Sequence, residues 1–126
     1  MKKQSEILSA LRAFIDTATQ QRRLAEDYKA AFRQPARQAT LLPALKETTT
    51  QTTEKNEDLK NAISTATTGE FIVNQAAKLH AAWNAVQGAK ALYASEGRAE
   101  NLFQLRDKEE KFDTLLRDTR QLIQNQ

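Results

Sequence analysis

The one imidazole of the chain, His80, is where catalysis would start, because a hydroxyl nucleophile needs a base within hydrogen-bond reach. The residues three and four before it are Ala77 and Ala76. Neither the Glu-x-x-His pattern of a helical metal site nor a His-Glu-x-x-His pair is therefore present. With no cysteine there is no thiolate nucleophile, thiolate metal site or disulfide frame. Carboxylates cluster at Glu54, Glu57 and Asp58 and again at Glu109, Glu110 and Asp113, the residue type that holds a hard cation or works as an acid–base pair. Lys55, Lys60 and Lys111 interleave with them, as on solvated helix faces. Gly69, Gly88 and Gly97 stand singly, so no loop cradles phosphate. The expectation is a non-enzymatic protein with no cofactor, no metal site and no small-molecule substrate. His80, one turn from Trp83, reads as a structural histidine at the edge of a core.

Binding chemistry is better represented. Lys29 and Arg33 are four apart, Arg37 extends the row if the helix persists past Pro35, and Arg22 and Arg23 add to it, with only Glu26 and Asp27 to offset them. Like charges at that spacing repel, so this basic ridge suits phosphate or an acidic protein surface. The plainer account is that cations near a helix C-terminus complement its dipole. The net charge of +3 conceals a segregation. Residues 1–46 carry nine Lys/Arg against four Asp/Glu, and the remainder carries ten against twelve. Nucleic-acid binding through the ridge is the alternative function. No recognition helix preceded by a tight turn and no aromatic stacking platform supports it. Phe103 lies off the main apolar repeat, and Leu8, Ile15 and Leu24 widen the stripe of the first segment. Such apolar surface either closes the four-helix core or, where it is surplus, suits a partner helix or a second copy of the chain.

These residues need long helices to position them. Low Gly and Pro content with abundant Ala, Leu, Gln, Lys and Glu favours helix throughout. Ile7, Leu11, Phe14, Ala18, Ala25, Tyr28 and Phe32 recur at steps of three and four with Gln21 in the one polar slot; Ser5 is the expected N-cap and Pro35 the stop. Residues 35–43 read as a connector, with room for a short helical turn, whose Leu41 and Leu42 plug one end of the core. A second helix follows with Leu45, Leu59, Ala62, Ile63 and Ala66, although Thr48, Thr49, Thr50, Thr52 and Thr53 are β-branched. With no other strand-like segment to pair with, that tract is expected to be a helix with a frayed or exposed middle, and its hydroxyls a possible contact surface. Thr67 and Glu70 have capping-box spacing and Gly69 frees the turn beside them. The third helix, expected to be the most buried, carries Ile72, Ala76, Leu79, Trp83, Val86 and Tyr93; Gly88 suggests a close approach and Gly97 a left-handed cap. The last helix places Leu102, Leu105, Phe112, Leu116 and Ile123 on one stripe. Arg106–Glu110, Asp107–Lys111 and Asp113–Arg117 are spaced to pair along it. Glu109 falls on the apolar track, where it marks an opening of the seam to solvent unless it pairs with a buried cation.

The chain is thus expected to be a single all-α domain, with helices over about 5–34, 44–66, 70–95 and 98–125. The architecture is an antiparallel four-helix bundle, or long helical hairpins that complete their core by dimerising. No hydrophobic stretch follows the basic N-terminus, and none approaches a membrane-spanning length. That predicts a cytoplasmic protein without membrane insertion. The expected function is that of an adaptor, inhibitor, assembly or secretion chaperone, or small structural subunit, gripping another protein or a second copy. The candidate binding residues are Arg22, Arg23, Lys29, Arg33, Arg37 and Phe103.

Overall fold

The computed structural model describes residues 2–64 and 71–124. The capping pair Thr67 and Glu70, Gly69 and Ala66 lie outside them. Four helices follow in order, α1 Lys2–Ala30, α2 Pro35–Ser64, α3 Phe71–Ser95 and α4 Ala99–Gln124, and the described residues include no strand. Cross-helix bonds fix their directions. Gln21 meets Thr49 while Gln38 meets Tyr28, so α1 and α2 run antiparallel. Arg22 meets Asp113 while Lys29 meets Glu109, which sets α4 antiparallel to α1. The expected four-helix bundle is therefore formed by one chain. It is flattened: α1 and α3 touch across the diagonal, whereas α2 and α4 do not.

Several helix limits differ from expectation for local reasons. α1 begins at Lys2, which puts Ser5 inside the helix. It ends at Ala30, earlier than residue 34, because Pro35 pushes Gln34 out of helical geometry. The chain turns through Ala31–Arg33, where the Phe32 and Gln34 amides donate to the carbonyls of Lys29 and Ala31. Pro35 then opens α2, its missing N–H harmless at a first helical position and its φ already suitable. Residues 35–43 are thus helix and not a connector, and α2 continues through Pro43.

The threonine tract is helical, but its middle is neither frayed nor wholly exposed. The Thr48, Thr49, Thr50, Thr52 and Thr53 hydroxyls each donate to the carbonyl four residues back. Their polarity is absorbed by the helix itself, and a buried threonine can face the interior with its methyl group. Thr48 and Thr52 are accordingly buried, along with Asn56 and Leu59, on the face that α2 turns inward.

The apolar centre comes mainly from the other three helices. Phe14, Trp83 and Phe112 meet as a ring cluster with centroids 5.5 to 6.2 Å apart, two of the three pairs edge-to-face. Ile7, Leu11, Ile15, Ala18, Leu79, Leu116 and Ile123 extend it toward one end of the bundle. Ile15 is buried and Leu8 packs against the cluster, so this flank of α1 closes the core and is not surplus. Helix α3 is well buried only as far as Val86; from Gln87 to Ser95 no side chain is buried. A Cβ on Gly88 would meet nothing within 4 Å, so no close approach explains this glycine. Gly97 is not left-handed, and α3 ends without that cap.

Candidate functional site

Two features depart from an ordinary apolar bundle, a buried charge cluster and an uncovered end. Arg22 is only 6% exposed and reaches across from α1 to α4. Its Nε and Nη2 donate to the two carboxylate oxygens of Asp113 at 2.8 and 3.2 Å, Nη1 donates to Glu109 at 2.7 Å, and Nη2 also reaches Glu26 at 2.9 Å. Lys29 donates to the other oxygen of Glu109 at 2.7 Å. Burial opposes the Arg22 charge, but the hydrogen bond to Asp113 and the charges of Glu109, Asp113 and Glu26 outweigh it and hold the guanidinium above its ordinary pKa. Glu109, 7% exposed, therefore does not mark an opening of the seam; it pairs with a buried cation. Asp113 is drawn to Arg22 and away from Arg117, which leans on Asp118 at 4.0 Å. Of the three pairs expected along α4, Asp107–Lys111 forms, at 3.0 Å. Beside the cluster, Glu26, Lys29, Arg106, Glu109, Glu110 and Asp113 help to line a cleft of about 680 Å³ with charges of both signs.

This cluster divides the basic ridge. Arg22 is buried and neutralised, and Lys29 is tied to Glu109 and Glu26. Arg23, Arg33 and Arg37 are exposed, and among the described residues none of them makes an ion pair. Arg37 belongs to α2, so the row does not continue along one helix. Arg33 lies over the Phe32 ring at 5.1 Å, a cation–π contact on the surface.

His80 is engaged in a polar ring between α2 and α3. Its Nδ1–H donates to Asn56 Oδ1 at 2.7 Å, Asn56 Nδ2 donates to Asn84 Oδ1 at 3.0 Å, and Asn84 Nδ2 donates to His80 Nε2 at 3.3 Å. Each group fills one donor and one acceptor role, which a neutral imidazole alone can do. That is a structural occupation for the histidine, as expected. Among the described residues no three His, Asp or Glu side chains gather as a metal ion would require.

The uncovered end lies beyond the charge cluster. From Arg23 on α1 to Glu47 on α2, and from Gln87 on α3 to Gln104 on α4, the one buried apolar side chain is Ala31. Helix directions bring both stretches to the same end. There Phe32 and Phe103 are each 68% exposed and Leu92 42%. Leu24, Tyr28, Leu41, Leu42, Leu45 and Leu102 are half-buried and lie outside the partly buried shell that packs on the core. Phe103 sits where the sequence placed it, off the core stripe. Phe32 was expected in the core but falls in the turn that Pro35 enforces, and Leu92 lies past the last buried residue of α3. Leu41 and Leu42 do not plug the core but line this end. The sequence signals for it were Phe103, off the apolar repeat, and Pro35, which stops α1 before its apolar repeat is complete.

Comparison of the chain with known protein families, curated proteins and solved structures finds no match.

Proposed function

We propose that the chain is a non-enzymatic interaction protein that acts in the cytoplasm and grips a protein partner, or a second copy of itself, through the uncovered end of its bundle. The observation that carries this is the placement of Phe32, Leu92 and Phe103 at the same end as the half-buried Leu41, Leu42 and Leu45, while the core is already complete without them. Three of the four exposed large hydrophobic side chains among the described residues lie at this end and Leu122 at the other, and exposed apolar groups concentrated in this way are what partner-binding surfaces look like. An adaptor, an inhibitor, an assembly or secretion chaperone and a small structural subunit all work in this way. No helix among the described residues is long and apolar enough to cross a membrane.

The alternative, nucleic-acid binding along Arg22, Arg23, Lys29, Arg33 and Arg37, has less support. Arg22 and Lys29 are already held by carboxylates, which leaves three cations for a phosphate backbone.

The test is quantitative capture from cell extract with three versions of the full chain: wild type, Phe32→Ser/Phe103→Ser, and Leu122→Ser as a control at the opposite end. A partner or self-association kept by wild type and by the control but lost by the double variant supports the proposal. Binding that ignores the double variant overturns it.

A further inference from the structure

The charges around the first hairpin turn specify the chemistry of the partner, and this step rests on the proposal that the uncovered end grips a protein. From Tyr28 to Lys46 the chain has four cations, Lys29, Arg33, Arg37 and Lys46, and no carboxylate. Lys29 is neutralised by α4 and the other three are exposed. Complementing a helix C-terminus explains Lys29, in the last turn of α1. It does not explain Arg37. That residue sits in the first turn of α2, at the positive end of the dipole, where a cation is unfavourable and where α2 has no acidic residue of its own. A local preference broken on a surface, beside exposed apolar side chains, points to a requirement of binding and not of folding.

We infer that the α1–α2 turn, with Phe32, Arg33 and Arg37 as its contacts, docks an acidic amphipathic helix of a partner protein. The partner's apolar stripe covers Phe32 and the half-buried leucines, and its carboxylates meet Arg33 and Arg37 and relieve the misplaced charge at the α2 N-terminus. A second copy fits this turn less well, since a two-fold contact there sets cations of one chain against those of the other. A lipid surface also fits less well. Phe32 alone projects from this hairpin, and leucines that are already half-buried are covered by side chains packing into them more readily than by insertion.

The experiment uses the full chain and two designed helical peptides with the same leucine stripe, one faced with glutamate and one with lysine, followed by fluorescence anisotropy. The glutamate peptide is expected to bind with an affinity that falls as salt rises. Arg33→Glu/Arg37→Glu should weaken it on the order of tenfold or more, and Phe32→Ser should weaken it as well. Arg37→Glu alone is expected to raise the melting temperature of the free chain while it weakens the peptide, an opposition that a merely structural residue does not give. Equal binding of both peptides, or indifference to the arginine variants, overturns the acidic partner but leaves an apolar gripping end intact. Binding of neither peptide, or tighter binding to phosphatidylserine vesicles than to the glutamate peptide, overturns it outright. The capture experiment then decides separately whether the end binds protein at all.

Discussion

Replacing Arg22 and Glu109, singly and together, measures what the buried cluster does for the fold. Glu109→Leu removes one of the four hydrogen bonds that Arg22 donates and leaves Asp113 and Glu26, whose side chains are 43% and 54% exposed and so well screened by solvent. Breaking a buried pair costs about 3–5 kcal/mol when the remaining charge has no other partner. Because Arg22 keeps Asp113, the expected loss is smaller, about 1–2 kcal/mol. Arg22→Met leaves the Glu109 carboxylate, 9% exposed, with Lys29 alone at 2.7 Å, and the expected loss is about 2–3 kcal/mol. The double variant strands no charge, since Lys29, Glu26 and Asp113 return to water. Apolar replacements of similar volume are often neutral or stabilising, so it should lie within about 1 kcal/mol of wild type.

The two single losses therefore do not add, and with the double variant near wild type the coupling comes to about 3–5 kcal/mol. Urea titration at neutral pH reads it directly, provided the slope stays constant across the four proteins. In thermal melts each kcal/mol corresponds to about 4 °C for a chain of this size. Single variants that each lose less than about 0.5 kcal/mol would show that solvent reaches the cluster freely. Additive losses would show that Arg22 and Glu109 do not act on one another, and either result refutes the reasoning.

Other consequences are sharper at single residues. Trp83→Ala opens the middle of the ring cluster and is expected to cost about 3–5 kcal/mol in chemical denaturation; a loss under about 1 kcal/mol would show that the cluster is not what holds α1, α3 and α4 together. Gln21 is buried with its Oε1 unpartnered among the described residues, so Gln21→Met is expected to stabilise the chain by about 1 kcal/mol, and destabilisation would show that the amide is satisfied in solution. The three-membered ring places the proton of neutral His80 on Nδ1; nitrogen chemical shifts reporting Nε2–H instead would mean that both asparagine amides are turned around.

The helices were legible because their signals are local. The repeats of α1, α3 and α4 named Ile7, Leu11, Phe14, Trp83, Phe112 and Ile123, and each is buried. What stayed hidden depends on pairing across distance. Arg22 and Glu109 lie 87 residues apart, and nothing in either helix tells which of five neighbouring cations turns inward. The polar inner face of α2 was hidden for another reason. Threonine reads as a poor helix former until its hydroxyl is given the carbonyl one turn back, and then Thr48 and Thr52 behave as small apolar residues. The uncovered end escaped because the apolar repeat runs on past the last layer that has anything to face. Periodicity records which way a side chain points, not whether another helix is there to meet it.

Along the bundle axis the chain therefore holds two regions of unequal apolar burial, with the belt of Gln21, Arg22, Thr48, Thr52 and Glu109 between them. On one side lie the ring cluster and nearly all the buried apolar side chains; on the other lie half-buried leucines and exposed aromatics. Opening free energies should follow, since amides in regions with few buried apolar contacts open without global unfolding. Hydrogen exchange at neutral pH is expected to protect 7–20, 52–63, 72–86 and 105–123 most strongly, and 24–30, 35–47, 87–95 and 99–104 by a margin of about 2 kcal/mol less, roughly thirtyfold in rate. Uniform protection along each helix would mean that the charge belt couples the two regions into one cooperative unit. A graded profile makes the uncovered end the part of the molecule whose ordering a partner can change, and addition of the glutamate-faced peptide should then slow exchange at 24–47 while leaving the ring cluster as it was.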